Sequence, residues 1–116
     1  MSIELKTRLE ETFFSLPEDQ RGSIISLGVT MKLSHLRNRL TLAVSKVQAL
    51  EEQYGLSLAE LDSRGLPNDA DYVMHEDYIL WHHWSEAADQ VRQEIAALEK
   101  VAAEGLYTES ASYVSG

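Results

Sequence analysis

Cysteine is absent from these 116 residues, and proline occurs only twice. Without cysteine there is no disulfide, no thiolate nucleophile and no cysteine-ligated zinc, which suits a reducing compartment. Basic residues are scarce beside acidic ones, 10 against 19, leaving a formal charge of -9. That charge repels phosphate backbones and anionic membrane surfaces at long range and favours a basic protein as partner. No apolar run reaches membrane-spanning length, and Met1-Ser2-Ile3-Glu4 lacks the charged start and apolar stretch of a secretory leader. The chain is expected in the cytoplasm, away from membranes.

Catalytic signatures are missing as well. There is no Gly-x-Ser-x-Gly elbow, and no two of the six glycines have the spacing of a phosphate-binding loop. Ser34 and His35 are neighbours that point different ways on a helix. Acid pairs such as Glu51 and Glu52, or Asp69 and Asp71, read as solvated surface. Among His75, Glu76, His82, His83 and Glu86, His82 and Glu86 share a helical face, but a helical zinc site needs two histidines four apart plus a third ligand. The expectation is a protein that is not an enzyme and carries no metal and no cofactor.

What the chain does have is two apolar seams in heptad phase, separated by a segment that breaks helices. One runs through Leu33, Leu36, Leu40, Ala43, Val47, Leu50 and Tyr54; the other through Trp81, Trp84, Ala88, Val91, Ile95, Leu98 and Ala102. A stripe repeating every 3.5 residues is a surface made to pack against another helix. The fold class is therefore all-α: a helical hairpin or small bundle with two long heptad-patterned helices, able to pair with itself as a homo-oligomer or with another protein. Leu33, Leu36, Leu40, Val47, Leu50, Tyr54 and Leu98 are the expected helix-packing residues. At this length one helical domain over 1–105 is expected, with a serine-rich tail over 106–116 that is too poor in apolar periodicity to pack and is expected to be disordered.

Along the chain, Leu5, Leu9, Phe13 and Leu16 mark a first amphipathic helix from about Ser2 to Ser15. Pro17, Glu18 and Asp19 suit the start of a second. Between Ser23 and Leu33 the signals conflict. Ile25, Leu27, Val29, Met31 and Leu33 alternate with polar residues as in a half-buried strand, yet the preceding Pro-Glu-Asp favours helix, and no other segment offers a mate. Helix is the preferred reading, with Gly28 ending it and Thr30 or Ser34 capping the long helix from Leu33 to Tyr54. Ser57-Leu58-Ala59-Glu60 has the spacing of a capping box for a short helix. A turn through Arg64 to Asp69 follows, then a last helix from about His75 to Glu104, with Gly105 as its stop.

The first heptad frame puts Lys32, Arg39 and Lys46 on one flank of its seam, where they would select an acidic neighbour. On the second helix the equivalent row holds Leu80, Ala87, Glu94 and Val101, so its apolar face is wider than a two-helix seam requires, and another surface should cover the excess. Most helical stripes in small domains face their own core. Aromatics and methionine crowd into the entry of the last helix, however, and these residue types anchor interfaces. Tyr72, Met74, Tyr78, Trp81, Trp84, Val91 and Ile95 are the expected partner-binding residues. The alternative is a DNA-binding autoregulator of helix-turn-helix or ribbon-helix-helix type, with glycine at the turn and Lys32, Arg37 and Arg39 on the second helix.

At Tyr54-Gly55-Leu56-Ser57-Leu58-Ala59-Glu60-Leu61, then Asp71-Tyr72 and Glu76-Asp77-Tyr78-Ile79-Leu80-Trp81, the chain resembles small acidic bacterial proteins encoded beside toxins in two-gene toxin-antitoxin modules. It differs from their usual pattern in carrying Ala59 and Leu80 where acids are frequent, and a histidine pair after Trp81. The resemblance spans about residues 54–98. It implies an antitoxin-like role, in which acidic helices wrap a basic toxin and block its active surface, with the tail or the link from Gly65 to Asp77 folding on that partner.

Overall fold

A computed structural model describes the backbone of residues 3–115 and the side chains of residues 3–104. Four helices follow one another: α1 (Ile3–Phe14), α2 (Glu18–Tyr54), α3 (Leu58–Arg64) and α4 (Tyr72–Ser115). There is no strand among the described residues, and the two long helices pack against each other as a hairpin.

Three expected boundaries are corrected. Residues 23–33 are helical, and α2 passes through Gly28 without a break, so the long helix begins at Glu18 rather than Leu33. A glycine in a helix interior costs only about 1 kcal/mol relative to alanine, less than is lost by leaving the backbone of a mateless strand without partners. With one rod from Glu18 to Tyr54, the helix-turn-helix lacks its turn and the ribbon-helix-helix its ribbon. The last helix starts at Tyr72, not His75, because Asp71 caps it: its carboxylate accepts from the Met74 amide at 2.9 Å. It also runs past Gly105 to Ser115. The expected tail, 106–116, lies outside the residues whose side chains are described.

Chain contacts divide the protein into two compact units. One comprises Met1–Leu33 with Ala97–Gly116, the other Ser34–Ala96. In the first, α1 buries none of its residues, and Phe13 and Leu16 are half-buried. Arg21 holds the end of α1, donating to the Phe14 carbonyl at 3.0 Å and the Leu16 carbonyl at 2.5 Å, where a cation also complements the helix dipole.

The second unit contains the closed part of the hairpin. Leu36 and Ala43 on α2, Leu61 on α3, and Trp81, Ala88 and Val91 on α4 are buried. Leu40, Val47, Leu50 and Tyr54 are half-buried, as are Trp84 and Ile95. In the first unit Leu33 is buried, while Leu98 and Ala102 are half-buried. The residues beside them in sequence are mostly exposed, so packing follows the 3.5-residue period.

Candidate protein-binding site

The tip of the hairpin is built by turn chemistry. Gly55 and Gly65 both take positive φ, 70° and 77°, and their amides close onto the carbonyls of Glu51 and Leu61 at 2.8 and 2.7 Å. Only glycine enters that region without steric cost. Ser57 caps α3 by accepting from the Glu60 amide at 3.1 Å. The link expected to await a partner is already folded here: Ala70 donates to the Pro67 carbonyl at 3.0 Å, and α4 begins two residues later.

Two carboxylates then lock the tip. Asp77 accepts from the Tyr54 hydroxyl at 2.5 Å and from Gln53 Nε2 at 3.3 Å. Tyr54 also stacks on Trp81, with centroids 5.9 Å apart and planes at 23°. Its hydroxyl donates to Asp77, and burial beside that carboxylate adds to the effect, so the Tyr54 pKa is pushed up to about 12. Asp62 on α3 accepts from the Tyr78 hydroxyl at 2.6 Å, and His82 Nε2 stands 2.8 Å from the same oxygen. The Tyr78 and His82 rings meet edge to face at 4.9 Å. These bonds, Tyr78's foremost, lower the Asp62 pKa, while Tyr78's own is raised by its bond to Asp62.

The aromatic cluster at the entry to α4 is thus divided. Trp81 is fully buried and Val91 nearly so; both belong to the chain's own core and cannot be offered to a partner while the hairpin is closed. Trp81 Nε1 is buried without a hydrogen-bond partner, so Trp81 contributes by stacking and packing. Met74, Tyr78, Trp84 and Ile95 are half-buried. Tyr72 is 76% exposed, and beside it lie three large apolar residues outside the anticipated set: Ile79 at 64%, Val73 at 58% and Leu80 at 47%. The heptad row carrying Leu80 was the available signal, since it lies off the seam. Val73 and Leu80 form one heptad-spaced row on α4, and Tyr72 and Ile79 another about 100° round the helix, with the Glu76 and His83 row between them.

Residues 51–94 hold eleven acids and two bases, so this strip stands in the most acidic part of the molecule. On α2 the charge is reversed: residues 20–50 hold five bases and no acid, and Lys32, Arg37 and Arg39 are exposed on an unbroken helix.

A shallow groove of about 220 Å³ is lined by Val44, Val47, Gln48 and Glu51 on α2 and by Ser85, Ala88 and Arg92 on α4, below the roughly 300–1,000 Å³ of ordinary ligand sites. Among the described residues, no group of histidine and acid is placed to hold a metal ion. No family model matches the chain, and neither a curated protein nor a solved structure gives a significant match.

Proposed function

We propose that this chain is a non-enzymatic binding protein, the neutralising half of a bacterial two-gene toxin-antitoxin pair, which occludes a basic toxin in the cytoplasm with the tip of its hairpin. The observation that carries the reading is the exposed strip of Tyr72, Val73, Ile79 and Leu80 inside a stretch of eleven acids and two bases. Four large apolar side chains exposed within about two turns of one helix, with Glu76 set between their rows, favour a partner that covers them, and the surrounding acid favours a basic one. The toxin itself enters through the resemblance of residues 54–98.

Co-expression with the product of the neighbouring gene tests this. The two proteins are expected to purify together in equal amount, and the neighbour's toxicity to disappear. Ile79→Lys with Leu80→Lys should abolish both effects while helicity, read by circular dichroism, is kept, because both positions are exposed. A neighbour that is harmless and does not co-purify would defeat the antitoxin reading. A double variant that binds like the wild type would defeat the placement at the tip.

A further inference from the structure

Along the shaft of the second unit, α2 and α4 each carry an outer row made of residues that directly precede inward ones. On α2 these are Arg39, Leu42 and Lys46, before Leu40, Ala43 and Val47; on α4 they are His83, Ala87, Gln90 and Glu94, before Trp84, Ala88, Val91 and Ile95. All but the half-buried Ala87 are exposed. One residue is about 100° of helical turn, so both rows are displaced from the shared core in the same rotational sense, each viewed from its own N-terminus. The helices run antiparallel, since Tyr54 meets Trp81 while Val44, ten residues earlier, shares the groove with Arg92. The same sense therefore carries both rows to one side of the hairpin.

That side is split by charge. Its α2 half carries Arg39 and Lys46 around the exposed Leu42; its α4 half carries Glu94, with Glu86 at the edge, around Ala87. Among the described residues, none of these four charges has an ion pair within the chain. We propose that this face binds a second copy of the chain, with α2 of each hairpin lying on α4 of the other about a two-fold axis parallel to the helices. Like charge disfavours α2 on α2 and α4 on α4. The antiparallel register set by Tyr54 and Trp81 brings Arg39 within about a turn of the level of Glu94, and Lys46 to that of Glu86. The axis therefore sets each cation against an acid of the other copy and closes the pair with the same surface on both sides.

Sedimentation equilibrium at micromolar concentration and low salt decides the matter. The wild type should weigh twice its 13.1 kDa and dissociate as salt rises. Arg39→Glu with Lys46→Glu should be monomeric, as should Glu86→Lys with Glu94→Lys, each weakening association roughly tenfold or more. All four changes in one chain should restore the dimer. Circular dichroism establishes that each variant remains helical, and the milder Arg39→Gln with Lys46→Gln should weaken the dimer by a smaller factor. A monomeric wild type, an assembly of another size, a double reversal that dimerises unchanged, or a fourfold swap that stays monomeric would each overturn the proposal; the first would leave the face to a different helical partner. The tip strip is untouched by these changes, so toxin neutralisation and dimerisation fail independently.

Discussion

The two compact units use the same secondary structure to different ends. In Ser34–Ala96, six residues are buried and two carboxylates tie helices together through tyrosine and histidine. In the other unit, Leu33 is the one buried residue among those described, while Ile3, Leu5, Leu9, Phe14, Ile24, Ile25, Leu27, Met31 and Val101 are all exposed. Helix formation is satisfied locally by backbone hydrogen bonds, whereas a closed core requires facing surfaces of matching period. The contrast teaches that amphipathic pattern reports a helix and a face, and that only a second seam in phase reports what covers it.

The largest effect that would sharpen this contrast comes from Trp81. Trp81→Ala removes a fully buried indole and its stack on Tyr54, and should cost about 3–5 kcal/mol in urea unfolding. Leu9→Ala, at an exposed position of α1, should change stability by less than about 0.5 kcal/mol. Equal costs would break the comparison.

Next come the glycines, which should act with opposite sign. Gly65→Ala forces a side chain into positive φ and should destabilise by about 1–2 kcal/mol. Gly28→Ala, in a helix with open space around the new methyl, should stabilise the monomer by about 0.5–1 kcal/mol. Denaturant midpoints of the two variants, taken at a concentration where the chain is monomeric, check both.

The smallest effects are titrations at the tip. Tyr54 is harder to ionise in the folded state, so its contribution is complete below its ordinary pKa of 10.0 and is lost as pH rises towards about 12. Asp77→Asn should bring tyrosinate absorbance at Tyr54 to lower pH and remove that loss. The Asp62 carboxyl is held below its ordinary value of 3.8, so its contribution is present above that value and disappears as pH falls through the folded pKa. Thermal melts at falling pH should show a shallower acid decline for Asp62→Asn than for wild type.

The seams were legible because their 3.5-residue spacing survives over several turns, and Ser57 was legible as a cap because a serine followed three residues later by glutamate has few other uses. Gly28 misled because its intrinsic cost is small beside that of interrupting a long helix. Trp81 and Val91 misled by residue type: aromatic and apolar side chains serve cores and interfaces alike, but both stood on the seam, which already directed them inward. Asp71 was read as solvated surface when its geometry is that of a cap. The bonds from Asp62 to Tyr78 and His82 cross a turn between residues sixteen and twenty apart; no local period encodes such a pairing, and only the closed tip creates it.

Native-state amide hydrogen exchange tests the inequality of the two units most directly, measured on the monomeric Arg39→Glu, Lys46→Glu variant so that association does not contribute. Amides of Leu36–Leu50 on α2 and Tyr78–Val91 on α4 should exchange only through global unfolding, while those of α1 and of residues 20–30 should exchange orders of magnitude faster through local opening. Uniform protection along α2, or α1 as the slowest segment, would contradict the account.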